Sequence, residues 1–377
     1  MAVVQNADEP AEGLPLRLRT MGVVIDSRAP DEAMLARLSD QWCRALVDDV
    51  GPDALVPGPL ATAGEPETAH RRDYAFTTLV TMAALQATAG RRVNLHAGSL
   101  ADDAGRVLVL VGPSGTGKTT ATRALATRLH YLSDETASIT PDGLVFPHPK
   151  PLSIVIDAED LTHKEQLSPD ELGFGSTPET GSLHRIVVLR RGATTTPGLH
   201  PLDTVPALME LIEQSSSLAG LDSPLTTLLR LVESTGGAWL LEYVEIGDHL
   251  DALMGLLAEE APAQVDSTVE RLVRHPGPAI TGVDHGVDTG GSLVYRLPWT
   301  DAVEIENELV VLSASRAVRL ADLTATLWLR LTEPRTVPEL VAAAQEAHGL
   351  HPEAESIVRQ ALTALVEQSL VVTGSMT

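Results

Sequence analysis

Short apolar runs alternate with amphipathic stretches along most of the chain, the pattern of strands interleaved with helices. The run 21–26 (MGVVID) predicts a strand. Residues 33–46 carry Leu35, Leu38, Trp42 and Leu46 at helical spacing. The lead-in 1–20 reads as flexible, and 50–72, rich in Pro, Gly and acidic residues, reads as loop. Residues 76–89 read as a buried helix. A short strand at 93–96 is followed by RVLVLV at 106–111, a continuous apolar run of the buried-strand type. After it come a glycine-rich turn and a helix to Leu129. Further strands are expected at 130–132, 137–139, 144–146, 152–156, 186–189 and 239–244, and helices at 205–216, 225–233 and 250–260. This mixture predicts an α/β core.

The stretch 274–292 is rich in Gly, Pro, Asp and Thr and reads as a linker, after which the pattern resets. Strands are expected at 293–297 and 302–313, with a turn at Asn307, then a helix at 320–331. Thr336-Val337-Pro338-Glu339 is a capping box with proline in the first turn, and Gly349 suits the end of that helix. A third helix over 352–369 and a closing strand at 370–372 complete the chain. The expected organisation is an N-terminal α/β extension (1–92), a central domain (93–273), a linker (274–292) and a small α+β module (293–377).

A length of 377 residues accommodates two or three such units. With 27 basic against 51 acidic side chains, the net charge is −24. Such a chain repels phosphate backbones and anionic lipid, so neither nucleic acid nor a membrane is an expected partner. A single cysteine, Cys43, excludes an internal disulfide framework. The acidic start is unlike a signal peptide, and no apolar run reaches membrane-spanning length, so a cytoplasmic protein is expected. Basic residues are nearly all arginine; the lysines are Lys118, Lys150 and Lys164.

Two of those lysines fall in segments with candidate chemistry. Gly112-Pro113-Ser114-Gly115-Thr116-Gly117-Lys118-Thr119, followed by Thr120, satisfies G-x-x-x-x-G-K-[ST] between a strand and a helix. Glycines let backbone N–H groups converge on phosphate oxygens, and the helix adds its positive N-terminus. Lys118 supplies a mobile charge to the β/γ-phosphates, and the Thr119 hydroxyl is a hard oxygen ligand for Mg²⁺. The motif points to a nucleotide but names no reaction and does not fix adenine over guanine; ATP is the expected cofactor.

Asp134 and Glu135 close the strand after the first helix. They are either a solvated acidic turn or, beside a phosphate loop, a metal-linked acid and a proton acceptor. The loop favours the second reading. His96 precedes the loop strand, and a lone histidine is more often structural. Lys150, in Pro147-His148-Pro149-Lys150-Pro151, either reaches a phosphate or sits on the surface of a proline-rich turn. Arg190 and Arg191 could pair with phosphate but fit a solvated strand end better. His148, Asp157 and His163 show no metal-ligand spacing.

Taken together, LHAGSL (95–100), GPSGTGKTT (112–120), YLSDET (131–136), PHPKPLS (147–153) and IVVLRRG (186–192) resemble the HPr kinase/phosphorylase-like group over roughly 75–260. The resemblance implies a P-loop fold related to phosphoenolpyruvate carboxykinases. It also implies catalytic roles for His96 and Lys118, a base and metal role for Asp134 beside Glu135, and a homo-oligomer. The chain departs from that group in Ala97 for a glycine, Glu135 for a second aspartate, and the lack of a downstream Arg-Gly signature. It looks closer to the HPr-kinase-like enzymes that phosphorylate a hydroxyl of lasso-type precursor peptides. Residues 293–372 resemble the PqqD-like, winged-helix-like family, which implies a leader-peptide docking element. The strand Leu309–Ser313 with the helix Glu355–Leu365 is the expected surface. Other peptide-maturation enzymes are further implied partners. Two other readings remain: a kinase of a small hydroxylated metabolite, and a non-catalytic nucleotide-binding scaffold.

Overall fold

The structure, a computed structural model, describes residues 13–48, 55–61, 69–155, 164–192, 196–260, 270–271, 293–305, 307–314 and 316–374. The expected linker 274–292, and Asp157 and His163, lie outside the described residues.

The N-terminal module is built from β1 (Leu14–Thr20), β2 (Val23–Ala29), α1 (Glu32–Gln41), β3 (Leu55–Leu60) and α2 (Ala69–Thr88). Leu16, Leu18, Val23, Ile25, Leu38, Trp42, Phe76 and Val80 form its core. Two expectations fail here. Residues 14–20 are a strand rather than a flexible lead-in, because they pair antiparallel with β2 along their whole length. Residues 55–60 are a strand despite two prolines and a glycine, because β2 offers a parallel edge. The first helix ends at Gln41, short of the expected Leu46, and the second begins at Ala69, ahead of the expected 76.

The central unit runs through β4 (Val93–Ala101), β5 (Arg106–Val111), α3 (Lys118–Leu125), β6 (His130–Ser133), β7 (Thr136–Ile139), β8 (Leu144–Phe146), β9 (Leu152–Val155), β10 (Lys164–Leu167), β11 (Gly181–Arg191), β12 (Gly198–Leu202), α4 (Thr204–Glu213), β13 (Ser215–Ser216), α5 (Pro224–Ser234), β14 (Ala238–Tyr243) and α6 (Leu250–Ala258). The main sheet is mixed, with order β12-β14-β11-β5-β4-β7-β8 and with β6 and β13 also pairing on β4. β11 is parallel to β5 and to β14, whereas β4 runs antiparallel to β5. β11 also pairs with β8 through Gly181 and Ser182, so β11, β5, β4, β7 and β8 close into a ring.

The two-residue period of β5 divides its side chains between two cores. Val107, Val109 and Val111 meet residues of α4 and α5. Leu108 and Leu110 meet residues of α3 and α6. Burial on both faces explains why this run carries no polar alternation.

The C-terminal module comprises β15 (Glu270–Arg271), β16 (Leu293–Arg296), β17 (Asp301–Ile305), β18 (Glu308–Ser313), β19 (Arg316–Ala321), α7 (Asp322–Arg330), β20 (Arg335–Thr336), α8 (Val337–His348), α9 (Ala354–Glu367) and β21 (Val371–Gly374). The capping box forms as expected: Glu339 accepts from the Thr336 amide at 2.8 Å, and Thr336 from the Glu339 amide. Leu320 ends a strand instead of opening a helix. The sheet β15-β17-β18-β19 is covered on both faces. Ala302, Leu309, Val311 and Leu320 pack with α7, α8 and α9. Val303, Ile305, Val310 and Leu312 join the core under α4 and α5. Buried Asp301 also accepts from the Leu225 amide at 3.0 Å, capping α5 from across that boundary.

Close packing of α3 on β4 aims the phosphate loop. A Cβ on Gly98 would lie 2.2 Å from the Thr122 hydroxyl, which is fully buried. Gly98→Ala is expected to destabilise the protein by about 1–3 kcal/mol, the usual cost of overpacking. Adding Thr122→Ala should restore most of the loss, as read by urea unfolding.

Candidate functional site

The loop 112–117 leaves the buried end of β5 and enters α3 at Lys118. Gly115 and Gly117 take φ of +86° and +93°, values that favour glycine. A Cβ on Gly112 would meet the Leu189 carbonyl at 2.9 Å, so the loop's closeness to β11 requires glycine there too. The loop is braced from β14, where the Tyr243 hydroxyl donates to the Thr116 carbonyl. The Lys118 amine donates to the carbonyls of Gly112 at 2.5 Å and Pro113 at 3.0 Å, curling back over its own loop. Burial lowers its pKa, against the opposing pull of Glu135 and Asp134. Pro113, Ser114 and Gly115 are exposed at the tip, and Thr120 is exposed on α3.

Strand β6 delivers the two acids to the same end of the sheet. After it, Ser133 accepts from the amides of Glu135 at 3.1 Å and Thr136 at 2.9 Å, a hydroxyl-closed turn that holds both carboxylates in place. Asp134 is buried. Its Oδ1 accepts from the Tyr131 hydroxyl at 3.1 Å and pairs with the Lys150 amine at 3.1 Å. Its Oδ2 lies 3.4 Å from the Thr119 hydroxyl of the loop helix. Glu135 pairs with Lys150 at 3.2 Å, and its side chain stays 42% exposed. Tyr131 is fully buried, and burial together with Asp134 raises its pKa well above the usual phenol value.

Of the two readings its sequence context allowed for Lys150, the surface one fails. Lys150 is 3% exposed, so it is no surface residue, and its amine sits between two carboxylates. Burial works to lower its pKa, but Asp134 and Glu135 outweigh it and the pKa is raised, so the ammonium form is held. His96 stands at the rim. It is the exposed residue of β4, in register with Thr136, and its ring makes no hydrogen bond among the described residues. Desolvation and then Lys118 lower its pKa, which favours the neutral imidazole. Buried Ala97 gives its amide to the Glu135 carbonyl at 3.0 Å, tying the His96 strand to the acidic turn. Arg190 and Arg191 are half exposed and paired with Glu210, Glu242 and Glu245, the solvated strand end that fitted them better.

Sequence reasoning gave no role to Tyr131 or Tyr243, and it weighed His148 only as a metal ligand. His148 is fully buried, with ring nitrogens against the hydroxyls of Thr20 and, at 3.0 Å, Thr81 of the N-terminal module. The adjacency of YLSDET gave a signal for Tyr131. Nothing near His148 in sequence announced partners 128 and 67 residues away. Outside the loop, an open cavity of about 420 Å³ follows the exposed side of α3 from Thr120 past Arg123 and Thr127 to Phe174.

Residues of this kind fit a magnesium nucleotide. The donors are hard oxygens, Thr119 and Asp134, and no cluster of three or more His, Cys, Asp or Glu side chains able to hold a metal occurs among the described residues. Mg²⁺ commonly binds through one or two protein oxygens and substrate phosphates, without a cage of its own.

His148 gives a pH test of the packing. Burial, and then Lys150, push its pKa from 6.5 down to about 3, with Asp134 opposing. Between those values the unfolded chain binds the extra proton, so the stabilising contribution is complete above pH 6.5 and is lost as pH falls. Stability is expected to fall by up to about 1.4 kcal/mol per pH unit on acidification through this window. His148→Gln should flatten that slope in chemical unfolding curves.

No protein-family model matches the chain, and no curated protein matches it. Among solved structures, it aligns with the HPr(Ser) kinase/phosphatase from Coxiella burnetii at 13% identity and a TM-score of 0.26, covering 44% of this chain and 87% of that chain. A likeness at that score supports neither the fold nor the site, both of which stand on the geometry above. No helix among the described residues is long and apolar enough to cross a membrane.

Proposed function

We propose that the protein is an ATP-dependent phosphotransferase that phosphorylates a Ser or Thr hydroxyl of a peptide. The observation that carries this reading is the meeting of loop helix and acidic turn. Lys118 and Thr119 open α3, Asp134 stands 3.4 Å from the Thr119 hydroxyl, and Glu135 faces the same space half exposed. A nucleotide-binding loop needs no second carboxylate to bind; phosphoryl transfer to a hydroxyl does need a proton acceptor.

The chain's residues divide the work. Amides of 112–119 and the Lys118 ammonium hold the phosphates and offset the charge that develops on the transferring group. On binding, the Lys118 amine exchanges its two carbonyl partners for phosphate oxygens. Bound Mg²⁺ would supply further charge neutralisation, held by Thr119 and Asp134. Asp134 has one oxygen committed to Tyr131 and Lys150, which suits it to the metal side. Glu135 is the more open of the two and is the acid in this reading that takes the proton of the acceptor hydroxyl. Sequence reading gave both roles to Asp134. His96, neutral and at the rim, orients phosphate or acceptor. The cavity along α3 begins beside Thr120 and has the size for the nucleoside.

The C-terminal module is the proposed site for a leader peptide. The strand expected to receive it, Leu309 to Ser313, is paired on both sides, by β17 and β19, so it has no free edge. Strand addition is therefore proposed at β19, whose ladder partner among the described strands is β18 alone. Other maturation enzymes and a second copy of the chain are proposed partners in the same reading.

Lys118→Ala in the full chain is expected to weaken MgATP turnover by about 10²–10³-fold or more, the effect of removing one charge-stabilising donor. Calorimetry and phosphate release measure it; wild-type turnover in the variant would remove the loop from the mechanism. Intact-mass analysis of a precursor peptide with ATP should show one added phosphoryl group, and Glu135→Gln should suppress it more than it weakens nucleotide binding.

A further inference from the structure

The proline-alternating segment 147–151 connects the N-terminal module to the acidic pair. Three prolines fix φ at alternate positions and lower the entropy lost on ordering. The two remaining amides are both used: His148 donates to the Leu132 carbonyl at 3.0 Å and Lys150 to the His148 carbonyl at 2.9 Å. Leu132 belongs to β6, the strand that delivers Asp134. On the other side the Met21 amide donates to the Pro147 carbonyl at 2.8 Å. The segment is thus pinned between β6 and the N-terminal module.

The His148 ring is the side-chain part of that pin, and its tautomer follows from its partners. The Thr81 hydroxyl has one hydrogen and gives it to the Thr77 carbonyl at 2.9 Å. It can then only accept from His148, so Nε2 carries the proton. Nδ1 is left as an acceptor for the Thr20 hydroxyl. One neutral tautomer satisfies both ring nitrogens and both hydroxyls. Trp42, with its ring centroid 6.2 Å away, helps to enclose it.

We propose that His148 is a positioning residue: Thr20 and Thr81 hold its ring so that the strap 147–151 seats the Lys150 ammonium between Asp134 and Glu135. Lysine is a point charge on four flexible bonds, and without an anchored backbone its amine would not stay in one place. The N-terminal module therefore sets the geometry of the acids from outside the sheet that carries the phosphate loop. The catalytic consequence rests on the phosphotransferase reading; the link from His148 to Lys150 does not.

Two readouts on the full chain separate these claims. The first is acylation of lysine amines by a water-soluble active ester, mapped by peptide mass spectrometry and expressed as a fraction of the labelling in the urea-unfolded chain. Lys150 should be protected in the wild type. The shape-preserving pair Thr20→Val/Thr81→Val should raise its labelling about tenfold or more by easing local opening. The second is MgATP hydrolysis with water as acceptor. The same pair should lower kcat about 10–100-fold with KM for MgATP within about twofold, a loss typical of misplaced groups. In a Lys150→Met background the pair should cause no further loss. Unchanged Lys150 labelling, or kcat losses that multiply in the Lys150→Met background, would overturn the proposal. A wild type that neither hydrolyses MgATP nor phosphorylates a precursor peptide, with labelling that still changes as stated, would sink the phosphotransferase reading and leave the positioning link standing.

Discussion

An ammonium group leaves water only when countercharge and hydrogen-bond partners replace its hydration. The amine of Lys150 is buried and meets this condition with two carboxylates on consecutive residues. The arrangement constrains its surroundings from both sides. Asp134 and Glu135 must arrive at the end of β6 in one fixed turn, which Ser133 closes. Lys150 must arrive from the opposite direction on a backbone that cannot drift, which the prolines and the His148 ring provide. Losing either side would leave an unpaired charge out of water, so packing and electrostatics enforce the same geometry.

The phosphate loop and the acids reach each other through the sheet. β5 lies between β11 and β4, and β6 pairs with β4, so the loop after β5 and the turn after β6 emerge at one end. Pairing of β4 with both elements fixes the spacing, and Gly98 sets how closely α3 can lie. Tyr243 reaches the loop from β14, two strands away from β5. The site is thus built from rigid strands that end together, with α3 and the strap leaning on them. This suits chemistry in which positioning and charge stabilisation do most of the work.

Local chemistry made some of this legible in the sequence. RVLVLV predicts a buried strand, and β5 occupies those residues. Thr336 and Glu339 predict a helix start that forms with both capping bonds. The glycines and Lys118 announce the loop, and the acids after a short apolar run announce the turn. The rest depends on partners far away along the chain. Residues 14–20 become a strand because β2 lies alongside, and 55–60 do so in spite of Pro57 and Pro59. Leu309 to Ser313 have the composition of a strand, but composition does not say whether an edge is free. His148 and Lys150 are the sharpest case. Their partners lie in three separate segments, and only the fold brings a neutral histidine and a charged lysine, two residues apart, to such different uses.

The boundary of the C-terminal module carries a consequence for how a docked peptide could be presented. Val303, Ile305, Val310 and Leu312 complete the core beneath α4 and α5, and Asp301 caps α5. A module held by shared apolar burial is not a bead on a flexible string, for which local concentration would follow linker length. Its exposed edge has a fixed direction relative to the sheet that carries the phosphate loop. A peptide held on β19 would therefore reach the acids through the length of its own chain beyond the docked segment. Selection among acceptor hydroxyls would then follow distance along the peptide more than the residues that flank each hydroxyl. If a peptide docks on β19 as proposed, core sharing would make the distance along that peptide the quantity that selects the acceptor.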